Sequence, residues 1–143
     1  MVAAVMRMRR LGPEGPQVSV VGLGGMLLSI AGRPPEDQSV RVVQSALDYG
    51  VTLFDTSDAY CLDDQELGHN EKLITRALEG NRADVTVMTT VGLRRPGGAW
   101  TVDSSPEYIV ECVERSLKNQ GVDALDVASL YAPDSRVPYE ESV

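Results

Sequence analysis

The chain has 143 residues, of which 43% are apolar and 24% are charged, and its formal net charge at pH 7 is -8. This composition indicates a folded globular domain rather than a disordered segment, and the length is sufficient to bury a sizeable core. The negative charge argues against nucleic acid or an anionic membrane surface as a partner, because both are polyanions.

The N-terminal part of the chain predicts a tail, one strand and one helix. Residues 1–17 form a tail with a possible β-hairpin, because glycine–proline pairs interrupt short apolar stretches. A strand over 18–21 is followed by a glycine-rich loop over 22–25, where the backbone can approach a neighbour closely. The helix that follows ends at Gly50. Its inner face has helical spacing at Val40, Val43, Ala46 and Leu47.

The middle of the chain predicts a second strand and a second helix. Residues 51–54 are a short, apolar, β-prone run, which indicates a buried strand. The segment 55–68 is polar and irregular. A helix then begins near Asn70 and ends by Gly80. Its inner face consists of Leu73, Ile74, Ala77 and Leu78.

The last part of the chain predicts two strands with a helix between them. The strands cover 85–89 and 125–130, and a tail follows over 132–143. Ser105 is the expected N-cap of the helix, with Pro106 at its first helical position. Its expected inner face is Ile109, Val113, Ser116 and Leu117.

These elements alternate as β-α-β-α-β-α-β with about thirty residues between strand starts, which is typical of parallel βαβ units. Two architectures fit this order: a doubly wound open sheet, or part of a closed (β/α)₈ barrel. In both, functional residues gather where the strands end. The residues at these positions are Asp55, Tyr60, Thr90 and Tyr131.

Asp55 directly follows an apolar run, and Tyr60 lies shortly after it. The carboxylate could serve in catalysis, or it could cap a helix or stabilise a loop. The phenol could be a general acid, or it could be a half-buried loop side chain. Position alone leaves these alternatives open.

Other reactive residue types lack the partners that their chemistry needs. Cys61 and Cys112 have no matching histidine and asparagine arrangement for a thiol nucleophile. His69 is the only histidine, so we expect no metal site. The glycines at 22–25 do not complete a G-x-G-x-x-G dinucleotide motif, because position 27 is leucine.

The expected compartment is the cytoplasm. Two cysteines are too few for a disulfide framework. The N-terminal residues do not have the order of a secretory signal, and no stretch approaches the ~20 apolar residues of a membrane span.

Several short motifs together resemble one known family, the aldo-keto reductases. The similarity extends from about Leu11 to Val143, and the segment Glu66 to Glu71 is similar to the bacterial branch of the family. The motifs are Gly22-Leu23-Gly24, Gly50-Val51-Thr52-Leu53-Phe54-Asp55-Thr56, Asp58-Ala59-Tyr60, Glu71-Lys72-Leu73, Leu117 with Gly121-Val122-Asp123, and Ala132-Pro133-Asp134.

The resemblance implies a (β/α)₈ TIM barrel that reduces small aldehydes or ketones with NADPH. The family uses an aspartate, a tyrosine, a lysine and a histidine in catalysis. Asp55 and Tyr60 match the first two of these residues, whereas Thr90 replaces the lysine and Tyr131 replaces the histidine. The tyrosine protonates the carbonyl oxygen, and the lysine makes it a stronger acid.

The resemblance also implies that residues 18–143 are half of such a barrel, since a whole barrel typically needs ~250 residues. The family binds most of its NADPH with later loops. We therefore expect a cofactor contact only from the backbone at Gly24, Gly25 and Met26. The resulting expectation is a truncated oxidoreductase with weak or no activity alone. The alternative is a non-catalytic subunit that forms homo-oligomers through open strand edges.

Overall fold

The computed structural model describes residues 6–143. It contains three α-helices and eight short strands in an order consistent with the predicted βα units. The strands are β1 (Met8–Arg10), β2 (Gln17–Ser19), β3 (Leu23–Gly24), β4 (Leu53–Ser57), β5 (Thr86–Val91), β6 (Leu93–Arg94), β7 (Thr101–Val102) and β8 (Val127–Leu130). The helices are α1 (Glu36–Asp48), α2 (His69–Ala77) and α3 (Pro106–Gln120).

The central sheet is parallel and has the strand order β3-β4-β5-β8. Spatial order therefore follows chain order, without the reversal that defines the switch point of a doubly wound sheet. This arrangement is that of a partial (β/α)₈ barrel, which decides between the two architectures left open by the sequence. Within residues 6–143, β3 and β8 are the edges of this sheet, and each pairs on one side only.

The main hydrophobic core lies between one face of the sheet and helices α1 and α2. Phe54 of β4 is fully buried there. The other buried members of this cluster are Leu28, Val43, Val51, Leu73, Ile74, Ala77, Leu78, Val85 and Val87. Because side chains alternate along a strand, Asp55 next to Phe54 points to the opposite face of the sheet. The packing of the helices thus leaves that face free for polar chemistry.

The helices are short and amphipathic, and none of those within residues 6–143 is long and apolar enough to cross a membrane. The buried residues of α3 are Tyr108, Cys112, Ser116 and Gln120, so Ser116 is shared with the predicted inner face. Ile109 and Val113 of that prediction are partly buried against the same cluster. Polar residues take this face because Gln120 donates a hydrogen bond to the Thr89 hydroxyl at 2.6 Å. Ser105 is at the N-cap as predicted, but its hydroxyl bonds Asp103 instead of capping the helix.

The first barrel strand is not at 18–21, where the sequence placed it. Residues Gln17–Ser19 instead pair antiparallel with Met8–Arg10 in the N-terminal hairpin. Ser19 holds this hairpin against the sheet through reciprocal bonds with Thr52, each 2.9 Å long. The parallel strand is Leu23–Gly24, inside the predicted loop. The predicted boundary between the N-terminal tail and the half barrel, after residue 17, falls inside β2. That division of the chain stays a prediction.

Two central strands extend further than predicted. β4 continues to Ser57 and β5 to Val91, so Asp55 and Thr90 lie within strands rather than after them. Polar residues can continue these strands because their hydroxyls are satisfied: Ser57 donates to the Thr90 carbonyl at 2.7 Å. The small antiparallel pair β6–β7 lies between β5 and α3, where the sequence predicted neither a strand nor a helix.

Candidate active site

A cavity of about 250 Å³ opens at the carboxyl ends of the parallel strands. Each strand of the sheet is followed by at least one residue of its wall. The lining residues are Met26, Ile30, Tyr60, Leu93, Trp100 and Tyr131. All six side chains are uncharged, so the cavity favours a small, neutral and partly apolar molecule.

Tyr60 lines this cavity, and Asp55 and Thr90 lie next to it. The Tyr60 hydroxyl donates to Asp55 Oδ2 at 3.4 Å, and the Thr90 hydroxyl donates to Asp55 Oδ1 at 3.5 Å. Both distances are longer than those of a strong O–H···O bond. The carboxylate therefore has two weak neutral partners, and no cation forms an ion pair with it in the described part of the chain.

The electrostatics of this group make Tyr60 a weak acid. Burial and the neighbouring Asp55 carboxylate together raise the pKa of Tyr60 to about 12. Burial also raises the pKa of Asp55 above its usual range, while the hydrogen bonds from Tyr60 and Thr90 oppose that rise. A cation at position 90 would lower both pKa values, and threonine supplies none.

Tyr131 lies at the rim of the same cavity as Tyr60. Its side chain is 55% exposed, and its backbone N–H donates to the Val91 carbonyl at 3.0 Å. The structure thus brings all four predicted catalytic positions to one end of the sheet. Tyr131 carries a hydroxyl that could donate a hydrogen bond to a molecule bound in the cavity.

The loop at Gly24, Gly25 and Met26 borders the cavity, but most of its polar groups are used internally. The Gly25 N–H donates to the Asp55 carbonyl at 2.8 Å, and its own carbonyl accepts from Asn70 Nδ2 at 2.8 Å. A side chain at Gly25 would lie 2.5 Å from Asn70 Oδ1, so the close approach requires glycine. Gly24 and the Met26 side chain are left as the places where this loop could touch a cofactor.

Asn70 is a positioning residue that the sequence marked as a helix start and as part of the segment Glu66 to Glu71, with no structural role assigned. Its Oδ1 accepts from the Thr56 hydroxyl at 2.7 Å, and its Nδ2 also donates to the Ser29 hydroxyl at 2.7 Å. His69 Nδ1 lies 2.8 Å from the same Ser29 hydroxyl. This buried network ties β4 to α2 and fixes the loop after β3. An asparagine at a predicted helix start carries no sequence signal for that role.

Asp58, a second carboxylate close to Asp55 in sequence, is paired with an arginine inside the fold. Asp58 is fully buried and forms an ion pair with Arg115 of α3. Arg115 also binds Glu111 at 2.5 Å. Burial raises the pKa of Asp58, and the Arg115 guanidinium opposes that rise. This pair anchors the loop that carries Tyr60 but does not line the cavity.

Comparisons with known proteins agree on a single family. The family model described as the aldo/keto reductase family matches residues 20–143. "Probable aldo-keto reductase 1" from Glycine max is 33% identical, over all of this chain and 41% of its own length. "Uncharacterized oxidoreductase YqkF" from Bacillus subtilis is 31% identical, over 88% of this chain and 39% of its own length. The chain therefore spans about two fifths of the curated relatives that it matches.

Solved structures give the same result for the fold. Aldo-keto reductase AKR11C1 from Bacillus halodurans, in its holo form, is similar with a TM-score of 0.80 and 33% identity. The match covers 96% of this chain and 44% of that one. The glycerol dehydrogenase AKR11B4 from Gluconobacter oxydans has a TM-score of 0.75 at 29% identity, over 99% and 43% of the two chains.

Proposed function

Because the chain belongs to the aldo-keto reductase family, we propose that its cavity is a carbonyl-reducing site with weakened acid catalysis. Tyr60 would donate its phenolic proton to the oxygen of a small aldehyde or ketone. Tyr131 would orient that oxygen from the rim. The observation that carries the proposal is the uncharged Thr90 beside Asp55, together with the Tyr60 pKa of about 12.

A weakly acidic tyrosine slows proton donation in the transition state. Positioned acid–base groups typically contribute about 10²–10⁴-fold to a rate. With no cation at position 90, Tyr60 keeps its proton too tightly to supply that full factor. We therefore expect carbonyl reduction that is far slower than the usual enzyme range of roughly 1–10³ per second.

The family cofactor, NADPH, fits this cavity only in part. The uncharged wall, with the aromatic rings of Trp100 and Tyr131, suits a planar nicotinamide ring. When bound, the cofactor supplies the hydride. The wall offers no cation to the phosphates, so this site by itself holds the ring and not the rest of the molecule. Of the predicted backbone contacts with the cofactor, Gly24 and Met26 stay predictions, whereas the polar groups of Gly25 are already bonded to Asp55 and Asn70.

The decisive experiment restores the missing cation. We expect Thr90→Lys to increase the rate of NADPH-dependent aldehyde reduction by about 10²-fold, because a lysine beside Asp55 would lower the Tyr60 pKa. Thr90→Met is the matched control, because its side chain is long but uncharged and should give no gain. Adding Tyr60→Phe to Thr90→Lys should abolish the gain.

Two results would overturn the proposal. One is an unaltered protein that turns over an aldehyde at ordinary enzyme rates. The other is a rate unchanged by Thr90→Lys in a folded sample that binds NADPH by calorimetry. Calorimetry therefore accompanies the rates, since it separates loss of cofactor binding from loss of acid catalysis.

A second candidate function is that of a non-catalytic subunit, and the open sheet edges favour it. Within the described residues, β3 and β8 each leave one side of their backbone unpaired in the sheet. Such edges readily accept a further strand. If this reading holds, light scattering should show a homo-oligomer of the chain. A stable monomer across the accessible concentration range would contradict it.

A further inference from the structure

A buried arginine with unused hydrogen-bond donors lies beside a second, smaller cavity. Arg95 is only 4% exposed. Its Nη2 donates to the carbonyls of Cys61 and Leu62 at 3.0 and 2.8 Å. Its Nε and Nη1 are buried and have no hydrogen-bond partner among residues 6–143. Leaving such donors unsatisfied is costly, and most strongly so for a charged group.

The neighbouring arginine differs in this respect. Arg94 Nε forms an ion pair with Asp103 at 2.7 Å, and its guanidinium lies 3.7 Å from the centre of the Tyr108 ring. Arg95 forms no ion pair in the described part of the chain. Of the two arginines at this cavity, Arg95 is the one with a charge and donors to spare.

The cavity beside Arg95 has a volume of about 100 Å³. This volume suits a single small polar group rather than a whole cofactor. The lining residues are Asp64, Leu67, Arg94, Arg95, Pro96 and Tyr108. Asp64 is the one carboxylate in that lining, and it is exposed and accepts from the Gly97 N–H at 3.4 Å. The wall therefore has two cations, one of them already paired, and one exposed anion.

Trp100 covers one face of the Arg95 guanidinium. The guanidinium carbon lies 3.6 Å from the centre of a ring that is itself half exposed. Stacking occupies the face of the guanidinium plane but leaves the N–H groups at its edge available. Trp100 is also the only tryptophan of the chain, so its fluorescence reports on Arg95 and on the neighbouring cavity of Tyr60, which Trp100 also lines.

We infer that the cavity beside Arg95 is a binding site for a small oxyanion group, a carboxylate or a phosphate. An oxygen of such a group would accept a charge-assisted hydrogen bond from Nη1, which has no partner within residues 6–143. Because Nη1 is buried, binding displaces wall side chains and changes the surroundings of Trp100. The site lies outside the neutral cavity of Tyr60, and occupying it requires no cofactor and no turnover.

The test is a titration of the intact chain that is followed by Trp100 fluorescence. The probes are inorganic phosphate and acetate, each compared with sodium chloride at the same ionic strength and pH. A saturable change with phosphate or acetate, but not with chloride, supports the site, and the stronger probe identifies the oxyanion class. No saturable change with either probe in a folded sample overturns it. Neither result depends on reductase activity, so the proposed function is tested separately.

Variants connect the signal to Arg95. We expect Arg95→Gln to weaken binding of the effective probe at least about tenfold, through loss of the charge-assisted bonds. Arg41→Gln removes the same charge from an exposed pair with Asp37 and should leave the affinity unchanged. An affinity that survives Arg95→Gln contradicts the assignment.

A second variant keeps the test decisive if Arg95→Gln does not fold. Asp64→Asn removes the only carboxylate of the wall and retains an oxygen that can accept from Gly97. We expect several-fold tighter binding, because a repulsive charge near the bound anion is lost. Unchanged or weaker binding in this variant overturns the oxyanion site.

Discussion

Asp55 and Asp58 lie on the same segment, yet their surroundings are opposite. Asp58 faces the helices, is fully buried, and has the guanidinium of Arg115 as its partner. Asp55 faces the cavity and meets only the hydroxyls of Tyr60 and Thr90, at 3.4 and 3.5 Å. One carboxylate is satisfied by the fold, and the other is left without a cation.

The comparison separates what holds the chain together from what its chemistry needs. The helix side has an arginine for its carboxylate because an unpaired buried charge there would destabilise the fold. The cavity side tolerates an unpaired carboxylate because it is only partly buried. If the proposed function holds, the lack of a cation at position 90 affects catalysis more than folding, and the predictions below test that division.

The largest expected effect is on the helix side. Asp58→Asn leaves the Arg115 guanidinium without its buried partner, and we expect a loss of about 3 kcal/mol in the free energy of unfolding. Denaturation by urea, followed by circular dichroism, measures this loss. Asp37→Asn, which breaks the exposed pair of α1 with Arg41, is the control and should cause no measurable change. Equal free energies of unfolding for Asp58→Asn and Asp37→Asn would contradict the claim that the buried pair of Asp58 with Arg115 stabilises the fold.

A smaller loss is expected where the two sides meet, at the loop after β3. In Gly25→Ala, the added carbon would lie 2.5 Å from Asn70 Oδ1 and 2.8 Å from the Asp55 carbonyl. Forced overpacking of this kind typically costs about 1–3 kcal/mol. Gly24→Ala is the matched control, because its added carbon meets no atom within 4 Å. The midpoint of urea denaturation should be lower for Gly25→Ala than for Gly24→Ala. Identical midpoints would show that the loop after β3 accommodates the added carbon without a loss of stability.

The same division explains how far the sequence predicted the molecule. Hydrophobic spacing located the three helices and the order of the strands, because both depend on burial. The motif around Asp55 and Tyr60 predicted one residue of the cavity wall, Tyr60, and its neighbour Asp55, although their roles stay predictions. The first barrel strand was misplaced because Leu23–Gly24 contains a glycine, which a pattern assigns to a loop. Arg115, Asn70 and Arg95 were missed because their partners are distant in sequence.

On the cavity side, we expect removal of the Asp55 carboxylate charge to increase the free energy of unfolding, whereas removal of the Asp58 charge lowers it. Burial raises the pKa of Asp55 in the folded chain, so the folded state binds its proton more tightly than the unfolded state. Stability is then lost as the pH rises through the window between the unfolded and the folded pKa. Asp55→Asn should therefore be slightly more stable than the unaltered protein at pH 7. The difference should vanish below the unfolded pKa. Urea denaturation at both pH values measures it, and a loss at pH 7 as large as that of Asp58→Asn would contradict the comparison.

The smallest effect is a shift in one titration, and it tests the cause of the weakened acid directly. Burial and Asp55 raise the pKa of Tyr60 to about 12, so its phenolate forms only in strong alkali. In Thr90→Lys the new ammonium group stabilises the phenolate and lowers this pKa, whereas Thr90→Met does not. Tyrosinate absorbance follows the titration, and subtraction of the same curve for Tyr60→Phe isolates Tyr60 from the other tyrosines. A Tyr60 pKa that is equal in Thr90→Lys and Thr90→Met would mean that position 90 does not control the acid.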